Sequence, residues 1–304
     1  MKAVLLVIFI GTITFAVADI SGDAVLKKQI GKDEASITTT SRVAGAIHSF
    51  KFRGQEYIDS FDHGRQLQSA SNLNMGKKFI PEVFNPTEAG SEFDGKGFKS
   101  SSKLLFLEVK NEELVTKNQM AFWIRPGMKS QGNLAYNTAE LSNHLLQKQV
   151  RFGFMGLEQV LDYRVTFSVP EKEGHTYAQF EALTGYMPWE FQQFLRWSPE
   201  QKKLVPLDKQ LGEQPFPVVL ATEDGKHAMG VVSLEKRKGM AGPGYGRFYF
   251  PNDKVVKWNC VYRMQDKDGL QAGDYSFRML VPFGTVAEVE NLSLIHISEP
   301  TRPY

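Results

Sequence analysis

A dense cluster of polar side chains lies in two short segments, residues 57–68 and 84–90, between apolar runs. The cluster combines carboxylates, amides, an imidazole and a guanidinium, and its members are Asp59, Asp62, His63, Arg65, Gln66, Gln68, Asn85 and Glu88. Such a concentration of donors, acceptors and charges beside a predicted hairpin is what a polar ligand such as a sugar requires. The alternative is a hydrogen-bonded network that only shapes a loop. The residues alone leave both interpretations open.

An aromatic segment runs from Tyr186 to Trp197 and is a second place where a ligand could bind. Tyr186, Trp189 and Trp197 could stack on the C–H faces of a sugar, because their rings combine a broad apolar area with a polar tip. The alternative is that Phe191, Phe194 and Trp197 fill the core, and this alternative is favoured for the two phenylalanines.

Composition excludes several other chemistries. Lys and Arg (36) nearly balance Asp and Glu (34) without a basic stripe, so nucleic acid is not an expected partner. Cys260 is the only cysteine, which excludes a zinc site built from several thiolates. Its strand-like surroundings favour a small buried hydrophobe over a nucleophile. The chain has neither a phosphate-binding glycine loop of the required form nor a Gly-x-Ser-x-Gly elbow. We therefore expect no metal and no cofactor.

Short alternating runs between Gly, Pro, Asn and Asp predict a chain made largely of strands. A first hairpin is predicted for residues 44–58, and Asp224-Gly225 fits the tight turn of another. The remaining predicted strands are residues 104–109, 114–124, 149–154, 160–169, 176–183, 218–222, 227–234, 255–263 and 274–281. Helical periodicity is confined to residues 138–147 and a stretch after Gly284, and residues 69–102 are predicted to be a long loop. The pattern indicates an all-β fold, a large antiparallel β-sandwich with few short helices.

The two ends of the chain differ from the rest. Residues 1–18 combine a lysine, an apolar run and an Ala-x-Ala site, as in a secretory signal peptide cleaved after Ala18. The run is too short and interrupted for a membrane anchor, so we expect a secreted or periplasmic protein without membrane attachment after cleavage. Residues 19–43 should form an N-terminal lead, and residues 44–292 a single sandwich domain. Residues 293–304 resemble a translated sequencing adapter, so we expect a non-native tail without site residues.

The chain resembles the galactose mutarotase-like (aldose epimerase-like) superfamily of β-supersandwiches. The run of residues 43–58 is similar to that family's opening hairpin, and Gly64-Arg65 matches a Gly-Arg pair that helps to bind the sugar. Ser142-Asn143-His144 is similar to a Thr-Asn-His motif whose histidine is a general acid, although leucines follow it where the family has an aromatic residue. Related sandwich domains occur in polysaccharide lyases and in parts of glycoside hydrolases.

The resemblance implies proton transfer on a sugar. Anomer exchange needs a base for the C1 hydroxyl proton and an acid for the ring oxygen, which a carboxylate and a histidine can supply near neutral pH. The candidate acids are His144, His63 and His175, and the candidate bases are Glu181, Glu88 and Asp62. Elimination from a uronate would instead need a cation beside the substrate carboxylate, supplied by Arg65, Arg125, Arg151 or Arg164.

These observations predict a carbohydrate ligand. The catalytic candidates are His144, Glu181 and His175. The substrate-binding candidates are Asp62, His63, Arg65, Gln66, Gln68, Asn85, Glu88, Arg164, Tyr186 and Trp189. The first hypothesis is an exported carbohydrate-active enzyme, epimerase-like or lyase-like. A non-catalytic carbohydrate-binding module of the same fold and a structural or interaction domain are the alternatives.

Overall fold

The computed structural model describes residues 20–170, 174–235 and 239–297, and this part of the chain is built almost entirely from strands. The first ten strands are β1 (Ala24–Ile30), β2 (Asp33–Thr39), β3 (Ile47–Phe52), β4 (Gln55–Glu56), β5 (Leu67–Leu73), β6 (Pro86–Thr87), β7 (Lys103–Lys110), β8 (Glu113–Phe122), β9 (Lys129–Ser130) and β10 (Asn133–Leu134). The next seven are β11 (Leu141–Phe154), β12 (Leu157–Val169), β13 (Tyr177–Pro188), β14 (Gln193–Ser198), β15 (Lys203–Pro206), β16 (Gly212–Gln214) and β17 (Val218–Ala221). The last elements are β18 (Ala228–Ser233), β19 (Met240–Phe250), β20 (Val255–Gln265), β21 (Gly273–Gly284) and the helix α1 (Val286–Ile297).

The strands form two antiparallel layers. The first layer has the order β1, β2, β3, β5, β13, β20, β19, β16, and β4 extends it beside β3. The second layer has the order β7, β8, β11, β12, β21, β18, β17, β14, β15. The short strand β6 pairs with both β5 and β8 and so connects the two layers. The predicted all-β antiparallel sandwich is therefore confirmed.

Aromatic side chains from the two layers meet in the core. Phe50 of β3 lies 4.8 Å, centroid to centroid, from Phe283 of β21, and Phe180 of β13 lies 5.1 Å from Phe167 of β12. All four rings are buried. Burying a phenylalanine side chain contributes about 1.5–3 kcal/mol, so these contacts hold the inner faces of the layers together. The outer faces remain available for polar groups.

The helix predicted for residues 138–147 is wrong, because this stretch belongs to β11. Along β11 every second side chain points into the core, which is the period of a strand and not of a helix. Three of the inward positions are polar, namely Ser142, His144 and Lys148, and these residues interrupt the apolar alternation that would have identified the strand. The helix predicted after Gly284 is confirmed as α1.

The long loop predicted for residues 69–102 is wrong at its start, where Leu67–Leu73 form β5. This strand carries Gln68, Ser69, Ser71 and Asn72, which are buried although their composition is typical of a loop. The predicted hairpins 44–58 and 218–234 are confirmed. Cys260 is fully buried in β20, as expected of a small hydrophobe, and burial raises the pKa of its thiol.

The ends of the described chain bear on the predicted segments. β1 and β2 form a hairpin that pairs with β3, so the predicted N-terminal lead contributes the edge of the first layer. The predicted signal peptide, residues 1–18, lies outside the described residues, as do residues 298–304 of the predicted tail. Within the described ranges, α1 and the two single-turn helices lack the length and apolar content that a membrane crossing would need.

Candidate functional site

A cleft of about 340 Å³ lies on the outer face of the first layer, over the central strands β5, β13 and β20. Its floor consists of outward side chains of these strands, among them Gln68, Glu181 and Lys257. Loops after β4, β5 and β19 form its walls. The complete lining is Asp62, Gly64, Arg65, Gln68, Ser69, Ala70, Asn72, Pro81, Glu82, Asn85, Thr87, Trp123, Gln179, Glu181, Thr184, Tyr186, Phe250, Asp253, Val255 and Lys257.

An irregularity in β13 determines which of its side chains reach the cleft. The register with β20 shifts between Glu181 and Leu183, and the register with β5 shifts between Glu181 and Thr184. Before this bulge the odd-numbered residues Gln179 and Glu181 face the cleft, and after it the even-numbered Thr184 and Tyr186 do. A bulge changes the alternation of a strand and can redirect side chains in this way. Four polar side chains of one strand therefore face the same cleft.

Arg65 lies at the wall of the cleft among three carboxylates. Its Nε lies 3.3 Å from Oδ2 of Asp62, its Nη2 lies 3.3 Å from Oδ1 of Asp253, and its Nη1 lies 3.8 Å from Oδ2 of Asp59. Its Nη1 also donates to the backbone carbonyl of Asp253 at 3.3 Å. Burial raises the pKa of Asp59, and this effect outweighs the opposing hydrogen bond from the Phe61 N–H and the charge of Arg65. Arg65 thus ties two loops together while its guanidinium borders the cleft.

Glu181, Lys257 and Tyr186 form a second group on the floor. Lys257 Nζ lies 3.6 Å from Oε2 of Glu181 and 5.0 Å from the centre of the Tyr186 ring. The Thr184 hydroxyl also donates to Oε2 of Glu181, at 3.2 Å. Burial by itself lowers the pKa of Lys257, but Tyr186 and Glu181 outweigh it and raise the pKa above its usual value. Lys257 is therefore protonated at neutral pH, and Glu181 has a cation beside it.

Amide side chains occupy the side of the cleft near Trp123. Gln68 donates from Nε2 to the carbonyl of Gly64 at 2.7 Å, and Asn85 donates from Nδ2 to the carbonyl of Ser71 at 2.7 Å. A Cβ on Gly64 would lie 2.8 Å from Cη2 of Trp123, so only glycine lets the indole approach this closely. Gln68 Oε1 is buried and has no hydrogen-bond partner among the described residues.

Several predicted binding residues lie outside the cleft lining and connect loops or layers. Both ring nitrogens of His63 are within hydrogen-bonding distance of backbone carbonyls, those of Gly95 (2.8 Å) and Arg42 (2.7 Å). The Gln66 amide donates to the Ser60 hydroxyl at 3.2 Å. Glu88 forms an ion pair with Lys148 in which both side chains are fully buried, and it also accepts from the Ser69 N–H. These positions favour the bracing role that the sequence left open for part of the cluster.

The two predicted catalytic histidines do not line the cleft. His144 and His175 are buried, with ring centroids 5.9 Å apart, and both lie against Phe84. His175 Nδ1 accepts from the Met75 N–H at 3.2 Å. His144 lies in the interior because it occupies an inward position of β11, and His175 is buried in the segment just before β13. Among the described residues that line the cleft, none is a histidine.

The other two predicted binding residues also lie elsewhere. Arg164 projects from β12 in the second layer and contacts Asp162. Trp189 stacks on Tyr249, with 4.9 Å between ring centroids, and packs against the core. Of the thirteen predicted site residues, the cleft brings together six, namely Asp62, Arg65, Gln68, Asn85, Glu181 and Tyr186.

Sequence reasoning missed several cleft residues, including Trp123, Gln179, Thr184, Phe250, Asp253 and Lys257. Gln179 and Lys257 are polar outward positions on predicted strands, and that alternation was a usable signal. Asp253 follows β19 in a turn, and no local pattern links it to Arg65, 188 residues away in sequence. Among the described residues, no group of three or more His, Cys, Asp or Glu is arranged to hold a metal ion.

Comparison with known proteins gives likeness of fold. No protein-family profile matches the chain, and no curated protein sequence matches it. An α-mannosidase from Enterococcus faecalis V583 is similar with a TM-score of 0.50 and 8% identity, over 91% of this chain and 32% of the mannosidase. A candidate aldose 1-epimerase from Escherichia coli K12 has a TM-score of 0.47 and 9% identity, over 87% of this chain and 100% of that one. The chain spans about a third of the mannosidase's length, and the likeness is one of fold.

Proposed function

We propose that this protein binds a neutral carbohydrate in the cleft on its first layer. The observation that carries the proposal is the lining itself, in which amides, hydroxyls and carboxylates stand beside the rings of Trp123, Tyr186 and Phe250. Sugars need both kinds of surface, because their hydroxyls form hydrogen bonds and their C–H faces pack on aromatic rings. The volume of about 340 Å³ lies at the lower end of the range for small-ligand sites, about 300–1,000 Å³.

The amide and hydroxyl side chains of the cleft support a hydroxyl-rich ligand. Gln68, Asn85 and Thr184 all belong to the lining. Amides and hydroxyls can both donate to and accept from sugar hydroxyls, whereas an apolar ligand forms no such bonds. The fold is consistent with this ligand class, because the similar α-mannosidase acts, by its name, on a carbohydrate.

The charges of the cleft favour a neutral sugar over a uronate. Four carboxylates line it, from Asp62, Glu82, Glu181 and Asp253, against two cations, Arg65 and Lys257. Both cations already have carboxylate partners within 4 Å. A uronate would bring a further negative charge to this site, and like charges in proximity oppose binding. Arg125, Arg151 and Arg164 do not line the cleft, so the elimination chemistry lacks the free cation that it needs.

A second candidate function, epimerase-like proton transfer, rests on Glu181. This carboxylate lies in the cleft and could remove a hydroxyl proton. The required acid is less well supported, because the candidate histidines lie in the interior and the raised pKa of Lys257 makes it a poor proton donor near neutral pH. We therefore propose binding as the primary function and turnover as the question that one experiment must decide.

Binding is tested by saturation-transfer NMR and isothermal titration calorimetry with glucose, galactose, mannose, galacturonate and glucuronate. Neutral sugars should bind and the two uronates should bind at least tenfold more weakly. Tyr186→Ala and Glu181→Gln should lower the affinity, whereas Arg164→Ala, a matched change on the second layer, should not. If no neutral sugar binds, or if the Arg164 variant loses as much affinity as the cleft variants, the proposal is wrong.

Turnover is tested by two-dimensional exchange NMR on the anomers of the sugars that bind. If the wild-type protein accelerates anomer exchange and Glu181→Gln removes the acceleration at sugar concentrations that saturate the variant, the epimerase-like reaction is supported. A protein that binds sugar without accelerating exchange is a binding module. Ultraviolet detection of unsaturated products on polyuronates gives the corresponding test for elimination, where we expect no signal.

We also propose that the protein acts outside the cytoplasm after removal of residues 1–18. The support is the charged, apolar and Ala-x-Ala order of that segment. Mass spectrometry of the exported protein should give a mature N-terminus at Asp19. A protein that keeps Met1 and stays in the cytoplasmic fraction would refute this assignment.

A further inference from the structure

Two exposed phenylalanines stand at one rim of the cleft. Phe61 and Phe93 are 53% and 67% exposed. Exposed apolar surface is unfavourable in water, and larger patches of it mark binding sites. Neither ring is required by the core, since neither belongs to a buried cluster. Exposed aromatic rings beside a polar cleft are positioned to contact the part of a ligand that extends out of it.

Both phenylalanines lie on segments that are attached to cleft residues. The Arg65 guanidinium carbon lies 5.2 Å from the centre of the Phe61 ring, and Arg65 lines the cleft. Next to Phe93, the backbone N–H of Glu92 donates to the backbone carbonyl of Trp123 at 2.9 Å, and Trp123 lines the cleft as well. Phe61 therefore adjoins the cleft wall at Arg65, and the segment that carries Phe93 adjoins it at Trp123.

Cations hold each ring in place. Lys96 Nζ lies 3.6 Å from the centre of the Phe61 ring, and the Arg125 guanidinium carbon lies 3.5 Å from the centre of the Phe93 ring. A cation over an aromatic face is worth about 0.5–1 kcal/mol at an exposed site. The Phe61 ring thus has Lys96 and Arg65 beside it and the Phe93 ring has Arg125, while more than half of each side chain remains exposed to solvent.

The backbone that carries the rings is also fixed. Asp94 accepts through Oδ2 from the N–H groups of Ser91 and Ser101, both at 2.8 Å, and from the Ser101 hydroxyl at 2.7 Å. His63 Nδ1 lies 2.8 Å from the Gly95 carbonyl and so joins this loop to the segment that carries Phe61. A surface that is ordered before binding loses little conformational entropy when a ligand arrives.

We propose that Phe61 and Phe93 form a subsite that stacks against a second sugar ring of a neutral oligosaccharide whose first ring occupies the cleft. This inference rests on the proposed function and names its substrate class as oligomeric. The attachment of both segments to the cleft wall, at Arg65 and at Trp123, supports a sugar as the occupant, because a second sugar ring of a ligand in the cleft would lie beside the wall. The Lys96 ammonium and the Arg125 guanidinium next to the rings can donate hydrogen bonds to sugar hydroxyls.

The experiment compares sugars of different length on the full chain by isothermal titration calorimetry. The probes are glucose, mannose and galactose with cellotriose, β-1,4-mannotriose and β-1,4-galactotriose, and trigalacturonate is the charged comparison. The wild-type protein should bind one neutral trisaccharide about tenfold more tightly than its monosaccharide. Phe61→Ala and Phe93→Ala should each remove about three- to tenfold of that gain, as one lost stacking contact predicts, and leave the monosaccharide affinity within twofold.

Phe106→Ala is the matched control, because Phe106 is an exposed phenylalanine on β7 that does not line the cleft. It should change neither affinity. Equal affinity for mono- and trisaccharides in the wild type, or an equal loss for both in the Phe61 and Phe93 variants, overturns the subsite while the proposed function stands. Absence of binding for every neutral sugar overturns the proposed function itself. Tighter binding of trigalacturonate than of the neutral trisaccharides contradicts the neutral substrate class. Thermal unfolding of each variant should match the wild type within about 2 °C, given the small contribution of a surface ring in a domain of this size.

Discussion

Two charged clusters, one on each layer, are built from the same residue types in opposite proportion. In the cleft a single arginine is surrounded by three carboxylates, and on the second layer a single carboxylate is surrounded by three arginines. The first cluster consists of Arg65 with Asp59, Asp62 and Asp253, and the second of Asp162 with Arg151, Arg164 and Arg278. The Asp162 side chain is 1% exposed and that of Arg65 is 14% exposed.

The elements that carry the two clusters differ. Asp162 and its partners project from the neighbouring strands β11, β12 and β21, whose ladders fix their positions. Arg278 grips Asp162 with two short hydrogen bonds, 2.7 Å from Nε and 2.9 Å from Nη2. Arg65 and its partners lie instead on loops, and their contacts, at 3.3–3.8 Å, are longer than those of Arg278 and close to the 3.2 and 3.4 Å of Arg151 and Arg164. The comparison indicates that the strand-borne cluster stabilises the packing of neighbouring strands, whereas the loop-borne cluster borders the cleft.

The largest expected effect concerns the strand-borne cluster. Asp162→Asn removes the buried carboxylate that the three guanidinium groups share, which should lower the free energy of unfolding by about 3 kcal/mol. Urea unfolding followed by circular dichroism measures this change. Arg164→Gln, which removes one half-exposed partner, should cost less than about 1 kcal/mol. Sugar binding by the folded fraction should be unchanged in both variants, and a loss of binding would break the comparison.

The effect of Asp162 should also depend on pH. Burial raises the pKa of this carboxyl, but the hydrogen bond and charge of Arg278 and the charge of Arg164 outweigh burial and lower the pKa. Because the folded pKa lies below the unfolded value of about 3.9, the stabilisation is complete above that value and is lost as the pH falls through the folded pKa. The stabilities of the wild type and of Asp162→Asn should therefore converge in acid.

The second effect concerns the loop-borne cluster. Arg65→Ala should lower neutral-sugar affinity at least tenfold, because it removes a guanidinium from the wall of the cleft and leaves three carboxylates to repel one another. Stability should fall by only about 1–2 kcal/mol, since the side chains at this site are partly solvated. Arg65→Lys should restore stability more than affinity, because lysine keeps the charge and loses the planar fork. Full affinity in Arg65→Ala would exclude this wall from the binding site.

The fold was predictable to the extent that apolar residues alternate along the strands. The hairpins and the all-β class follow from such runs. By contrast, β5 and the first half of β11 were missed because the buried polar residues Ser69, Ser71, His144 and Lys148 occupy inward positions. Local patterns cannot report that Lys148 is neutralised by Glu88, because the partner is 60 residues away. The errors in the fold therefore coincide with buried polar groups whose partners are distant in sequence.

The candidate site was predictable where its residues are close in sequence. Asp62, Arg65 and Gln68 stand together in the chain and were found, and Glu181 was found by its place on a predicted strand. Lys257 and Asp253 belong to the site only because β20 pairs with β13, which is a fact of topology. His144 was favoured by a motif, and the parity of β11 places it inside. The high density of polar residues in the sequence identified the region of the site. The alternation of side chains along each strand determines which of these residues face the cleft.

A third, smaller effect tests the close approach of the wall and the indole. Gly64→Ala places a Cβ 2.8 Å from Cη2 of Trp123, which must move to accommodate it. The backbone of Gly64 needs no left-handed conformation, so stability should fall by less than about 1 kcal/mol. Sugar affinity should fall about three- to tenfold, because Trp123 lines the cleft. Gly97→Ala is the control, because Gly97, like Gly64, has no left-handed backbone and a Cβ there would meet only the Asp94 backbone carbonyl, at 2.9 Å. Gly54→Ala is unsuitable, since its φ of +77° adds backbone strain. An unchanged affinity would show that the ring position does not matter for binding.

The smallest expected effect is a change in the free energy of unfolding whose sign differs between the two clusters. Burial raises the pKa of Asp59 despite the opposing Phe61 N–H and Arg65, so the folded pKa lies above the unfolded value of about 3.9 and the ionised form is disfavoured by folding. Asp59→Asn should therefore raise the free energy of unfolding at pH 7, and the gain should vanish as the pH falls below the unfolded value. Urea unfolding at pH 7 and pH 3.5 measures both points. Asp162→Asn should be destabilising at pH 7 in the same assay, because its carboxylate is favoured by folding and that of Asp59 is not. If both substitutions change stability in the same direction at pH 7, folding favours or disfavours the two carboxylates alike. The distinction between a stabilising strand-borne cluster and a loop-borne cluster at the cleft is then wrong.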